Sequence, residues 1–188
     1  MAEMTTAPSR ATLERWRARM HDELHKSVLP FWMRHSLDRE FGGYFNCLDR
    51  DGRRFDTKKH VWLQGRQVWM LSKLFNEDRA RGELFEAATL GAKFLRQHAR
   101  RPDGQVYFCL ARDGKPLTLQ RKMFAACFYV MAFAEYARAS GDASYRSLAL
   151  SQFDAILRWV EDPTPLGKPV LAGNVATSEL AVPMILLN

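Results

Sequence analysis

Apolar residues recur at three- and four-residue steps from Leu13 through Trp16, Met20, Leu24, Val28, Phe31 and Trp32, which predicts a helix running towards His35 with Thr12 as its N-cap. Pro30 should kink that helix or mark a break, because proline supplies no N–H to the ladder. The period then changes. From Phe41 to Gly52, aromatic and β-favouring residues lead into an Asp51-Gly52 turn, the pattern of a short hairpin. A helix over roughly 58–75 follows. Another, from Leu84 to Gln97, places Leu84, Phe85, Ala88, Ala92 and Leu95 on one side.

The pattern then starts again. Shifting the chain by 62 residues lays Cys47-Leu48 on Cys109-Leu110 and Arg50-Asp51-Gly52 on Arg112-Asp113-Gly114 without a gap. The helix from Lys58 then falls on one from Gln120. Met123 to Tyr136 is apolar almost all round, as a helix buried on every side must be, whereas the helices at 13–35, 84–100 and 144–160 are amphipathic and should lie outside. Ser140-Gly141-Asp142 reads as a helix stop followed by a new N-cap. Asp162 to Gly167 closes the next outer helix, and a connector through Asn174 leads to an apolar inner helix from Ser178 to Asn188.

Repeated helix, hairpin, helix units stack because no unit can bury its apolar face alone. Two concentric layers of helices predict an all-α fold, an α/α toroid with short β-hairpins in its loops. We read residues 1–188 as one partial barrel domain with a flexible tail over 1–11 and units over roughly 12–76, 77–140 and 141–188. If six units close the ring, this chain is the first half of a protein about twice as long.

Composition narrows the function classes. With 47% apolar and 26% charged residues, the chain has the profile of a globular protein rather than a disordered one. The amino terminus lacks the apolar run of a signal peptide, and the apolar stretch from Met123 to Ala134 is too short to span a bilayer, so a cytoplasmic address is expected. Cys47, Cys109 and Cys127 have neither the number nor the spacing for a disulfide framework or a zinc site. The net charge of +7 comes from 28 Lys and Arg scattered among 21 acids without a long basic run, so no nucleic-acid partner is expected.

The chemistry concentrates in one helix. At about 100° per residue, Lys59, Trp62, Arg66, Trp69 and Lys73 fall on one arc. Guanidinium and indole together suit the wall of a pocket for a polyhydroxy ligand. The alternative is that Trp62 and Trp69 are core anchors and Arg66 pairs with an interior acid. His60, two residues before Trp62, is a further candidate at the pocket mouth. His21 and His25 have the i, i+4 spacing of metal ligands, but their acidic neighbour is out of step with the metalloprotease pattern and their helix is an outer one, so no metal is expected. Tyr44, Phe45, Tyr107 and Phe108 should pack over the rim.

Several segments together resemble the N-acylglucosamine 2-epimerase family, also called renin-binding protein. They are Phe31 to Ser36 (FWMRHS), Glu40 to Phe45 (EFGGYF), Val61 to Met70 (VWLQGRQVWM), Cys127 to Ala132 (CFYVMA) and Ala181 to Asn188 (AVPMILLN). The resemblance implies an (α/α)6 barrel that interconverts N-acetylglucosamine and N-acetylmannosamine. It also implies a homodimer, ATP or another nucleotide as effector, no metal needed for the chemistry, and renin as a possible partner. The arginine of the family's Trp-Leu-Gln-Gly-Arg motif belongs to the active site and falls on Arg66, which makes Trp62 a neighbour in the sugar pocket. The family's catalytic histidine pair and glutamate lie in the second half of the barrel, at positions this chain does not contain.

Two departures stand out. Ala125-Ala126 replaces the Ser-Glu that close relatives often carry, and Leu180 to Met184 fits the epimerase branch better than the aldose–ketose isomerase branch of the same superfamily, which remains an alternative. A non-catalytic helical module that binds a protein through its inner edge is the other.

Overall fold

The computed structural model describes residues 7–167 and 180–187; the expected connector through Asn174 and the start of the last helix at Ser178 lie outside them. The first helix begins at Arg10, two residues ahead of the expected cap and within the expected tail, because the Ser9 side chain accepts from the Thr12 N–H. It runs as α1 (Arg10–Glu23), a π-helical turn (Leu24–Val28) and α2 (Leu29–His35). The turn lies immediately ahead of Pro30, where the Leu29 N–H reaches back to the Leu24 carbonyl. Proline therefore redraws the ladder without ending the helix.

Two hairpins follow the expected repeat. Strand β1 (Cys47–Leu48) pairs antiparallel with β2 (Arg54–Asp56), so Asp51-Gly52 forms the turn between them. A third strand, β3 (Lys59–His60), was not anticipated. It joins β4 (Cys109–Leu110) and β5 (Pro116–Thr118) in a sheet of order β3-β4-β5. The 62-residue shift holds in the backbone: Cys47 opposes Asp56 as Cys109 opposes Thr118, and Leu48 opposes Arg54 as Leu110 opposes Pro116. Gly52 and Gly114 both take positive φ, 82° and 88°, with a histidine ring, His35 or His98, packed against each where no side chain would fit.

Helix α3 (Val61–Glu77) and α5 (Phe124–Ser140) pack side by side as the inner layer, and α4 (Gly82–His98) and α6 (Ala143–Glu161) back onto them. Gly65 sets the α3–α5 approach, since a Cβ there would sit 2.6 Å from the Phe128 carbonyl oxygen. Gly141, at φ 73°, ends α5, and the Asp142 side chain caps α6 by accepting from the Ser144 N–H. Tyr44 does not lie over a rim. It is fully buried against α4 with its hydroxyl donating to the Ala87 carbonyl at 2.8 Å. The last described helix is α7 (Ala181–Leu186).

Helix α1 departs from expectation. None of its residues is buried, and Leu13, Trp16 and Met20 are exposed, so its apolar stripe is not covered by the described residues.

A buried ion cluster joins the two hairpin units. Lys59 and Asp38, with side chains 0% and 1% exposed, pair at 2.9 Å. Lys59 Nζ also donates to the carbonyls of Gly42 and Arg112, and the Arg112 guanidinium grips both Asp38 oxygens at 2.9 and 3.0 Å. Burial alone would raise the Asp38 carboxyl, but the hydrogen bonds from Arg112 and Lys59 outweigh it and hold the group below its ordinary value. Burial pushes Lys59 down against the pull of Asp38.

Because the Asp38 value is lower in the folded state than in the unfolded one, its contribution is present above the ordinary carboxylate range and is lost as the pH falls below it. Asp38→Asn, which strands a buried lysine, should destabilise the fold by about 3–5 kcal/mol in urea melts at neutral pH. The gap from the parent chain should narrow between about pH 5 and pH 3. A constant gap would place the stabilisation elsewhere. Gly65→Ala should lower stability by about 1–3 kcal/mol by forcing α3 from α5, and an unchanged melting temperature would contradict that close approach.

Candidate functional site

The site is built on the amino-terminal half of α3. That helix starts at Val61 rather than at Lys58, because the Val61 N–H donates 2.9 Å to the Phe108 carbonyl and the two preceding residues are held in β3. Lys59 therefore leaves the expected arc for the interior. His60 sits opposite Cys109 with its ring edge-on to Phe108, centroids 5.5 Å apart. Lys73 pairs with Glu77 at 3.2 Å.

Arg66 keeps the position the arc predicted. Its guanidinium carbon lies 5.8 Å from the ring centres of both Trp62 and Phe128, and those two rings are 6.0 Å apart. A cation over two aromatic faces is held by electrostatic attraction without a counter-ion. Among the described residues no carboxylate forms a salt bridge with Arg66, so the alternative of an interior acid partner does not hold there.

Arg66 and Trp69 border a cavity of about 300 Å³ that is also lined by Trp32, Asn46, Leu63, Gln67 and Met70. The α3 stripe facing it is Leu63, Arg66, Gln67 and Met70, an i, i+3, i+4, i+7 set rotated slightly from the arc read in the sequence. Trp62 and His60 are not among the lining residues; Trp62 supports Arg66 from beside the cavity. Trp32 comes from α2 and Asn46 from the segment just before β1.

Two glutamines fasten that segment to α3. Gln64, fully buried, accepts from the Tyr44 N–H at 2.8 Å and donates to the Tyr44 carbonyl and to Asn46 Oδ1, both at 2.7 Å. Gln67 donates to Ser36 Oγ at 2.6 Å, and Ser36 in turn donates to the Trp32 carbonyl at 2.6 Å. Asn46 and Gln67 were not identified from sequence. The available signal was a pair of amides, Gln64 and Gln67, on the buried side of a tryptophan-bearing helix, where an unpaired polar group costs about 1–3 kcal/mol. The groove they satisfy is made by residues some 20–30 positions earlier, which no local pattern connects to them.

Away from this cavity, the His21 and His25 rings are 4.4 Å apart, and Arg81 Nη1 lies 3.2 Å from His25 Nδ1. A cation therefore faces that pair, in a hollow also lined by Glu77 and Asp78. Among the described residues no group of three or more His, Cys, Asp or Glu is placed to hold a metal ion. The three cysteines are free, and burial pushes the Cys127 thiol to about 11, far from reactive at neutral pH. None of the described helices is long and apolar enough to cross a membrane.

Comparison with known proteins places this geometry. A family model described as N-acylglucosamine 2-epimerase (GlcNAc 2-epimerase) matches residues 43–168. The chain is 47% identical over 184 residues to the N-acylglucosamine 2-epimerase of Mus musculus, covering 95% of this chain and 44% of that protein. It is 46% identical to the one of Homo sapiens, covering 95% of this chain and 43% of the relative. The solved cellobiose 2-epimerase of Spirochaeta thermophila DSM 6192 superposes with a TM-score of 0.70 at 28% identity, over 79% of this chain and 37% of that one. The chain thus spans less than half the length of these relatives, and its two helix layers, inner and outer, are those of an (α/α)6 barrel. With a family model covering most of its described core and close to half of its residues shared with curated relatives, the chain belongs to the N-acylglucosamine 2-epimerase family.

Proposed function

We propose that this chain supplies one wall of the sugar site of an N-acylglucosamine 2-epimerase, which interconverts N-acetylglucosamine and N-acetylmannosamine. The observation that carries the reading is Arg66: a guanidinium supported by the Trp62 and Phe128 rings, bordering a cavity and not neutralised by a described carboxylate. Inverting C2 requires ring opening, removal of the C2 proton α to the C1 aldehyde, and return of a proton to the opposite face. Negative charge then develops on the C1 oxygen. A fixed guanidinium beside it stabilises that charge with no reorganisation at the moment of reaction, an effect worth about 3 kcal/mol.

The reaction moves only protons, so under this reading it needs no redox cofactor and no metal. ATP or another nucleotide as effector, a homodimer, renin as a partner and a cytoplasmic location belong to the same reading. The cavity lining offers no histidine or carboxylate for the acid and base. We therefore assign those roles to parts of a longer protein, as the coverage of the relatives supports.

A second reading, a non-catalytic helical module binding a protein partner, draws on the apolar residues left exposed on α6 (Leu150, Phe153, Leu157) and at Leu180, Met184 and Leu187. Ile185 and Leu186, which the inner-edge idea would use, pack instead against the core.

The test is deuterium incorporation at C2 of N-acetylglucosamine in D2O by the protein as its source cells make it. Exchange and formation of labelled N-acetylmannosamine are expected, with kcat lowered about 10²-fold in Arg66→Ala. No exchange, or full activity in Arg66→Ala, would overturn the assignment. The 188-residue chain by itself should show no turnover, and measurable turnover would place the acid and base within it.

A further inference from the structure

Two carboxamides share the Arg66 cavity, and the hydrogen-bond network leaves each of them with only one orientation. The Tyr44 backbone fixes Gln64, whose Oε1 must meet the Tyr44 N–H and whose Nε2 must meet the Tyr44 carbonyl. Gln64 therefore presents N–H to Asn46, and Asn46 answers with Oδ1 at 2.7 Å. Its NH2 group is left over. For Gln67 the argument runs through a hydroxyl: Ser36 has given its O–H to the Trp32 carbonyl, so its oxygen can only accept, and Gln67 must offer Nε2 at 2.6 Å. Its Oε1 is left over. No described residue hydrogen-bonds to either leftover group, and both residues line the cavity.

A donor from Asn46 and an acceptor from Gln67 complement a secondary amide, whose carbonyl accepts and whose N–H donates. Trp32, Leu63 and Met70 in the same lining offer apolar surface to an acyl methyl. We infer that Asn46 and Gln67 form an amide-reading pair that selects sugars carrying an N-acyl group at C2, while Arg66 attends to the sugar oxygens. The pair rests on the reading of the cavity as a sugar site. It makes Asn46 and Gln67 specificity-determining residues, since an N-acyl group offers its N–H and its carbonyl on separate atoms and fills the apolar lining with its methyl, whereas a plain hydroxyl at C2 has one oxygen to serve both groups and no methyl.

The test is tryptophan-fluorescence titration of the protein as its source cells make it with N-acetylglucosamine and with glucose, Trp32 and Trp69 lining the cavity. Asn46→Ser keeps an oxygen that accepts from Gln64 and withdraws the cavity-facing amide donor without adding a charge beside Arg66. Gln67→Met removes the acceptor at nearly constant volume and gives up the Nε2 bond to Ser36 with it. Each variant should weaken N-acetylglucosamine binding about tenfold, the loss of roughly one hydrogen bond to a desolvated partner, while shifting glucose by no more than about twofold. Circular dichroism melts report whether each variant keeps the fold, and the two variants act on different elements. Equal losses for both sugars, or unchanged N-acetylglucosamine affinity, would overturn the amide-reading pair and leave the sugar site standing. Failure of the parent protein to bind either sugar would overturn the sugar site, and the pair with it.

Discussion

The buried Asp38 carboxylate, held by Lys59 on one side and Arg112 on the other, is the contact on which the arrangement of the two units turns. Asp38 belongs to the loop after α2, Lys59 to β3 at the start of α3, and Arg112 to the turn of the second hairpin. A carboxylate removed from water is tolerated only when charge and hydrogen bonds surround it, so the three segments cannot drift apart without leaving an ion stranded. Lys59 also reaches the carbonyls of Gly42 and Arg112, which converts a single ion pair into a staple across the unit boundary. That staple fixes where α3 begins.

The start of α3 in turn decides which side chains reach the cavity. With Val61 tied to the Phe108 carbonyl, the helix phase turns Leu63, Arg66, Gln67 and Met70 towards Trp32 and Asn46, and turns Gln64 towards Tyr44. Gly65, between Gln64 and Arg66, permits the close approach of α5 that brings the Phe128 ring beside Arg66. The cation is thus positioned by rings and by helix phase, not by a counter-charge, which leaves its field available to a ligand. The glutamines hold the loop in place and at the same time orient the amides that face the cavity.

The repeat explains why one site is built where two units are present. The second unit reproduces the first in hairpin register, in the positive-φ turn glycines and in the histidine beneath each of them. It does not reproduce the chemistry. Position 62 residues after Arg66 is Phe128, so the second inner helix contributes an aromatic support to the first instead of a cation of its own. The shared architecture carries the fold, and the differences between units carry the site.

Much of this was legible along the chain. The 3.6-residue period, the 62-residue shift, the Asp51-Gly52 and Asp113-Gly114 turns and the Gly141-Asp142 boundary depend on neighbouring residues, because caps, turns and amphipathic faces are satisfied within a few positions. They determined the helical order, the hairpins and the layered class. Arg66 and Trp69 were legible for the same reason, being conspicuous on one helix. The tertiary structure alone decided that Lys59 is a buried staple, that His60 packs on Phe108, that Trp62 supports the cavity from outside its lining, and that Asn46 and Gln67 face it. Each of these depends on partners 18 to 53 positions away or more, such as Asn46 with Gln64 and Lys59 with Arg112, and hydrogen bonds and charges over such separations leave no periodic trace in a sequence.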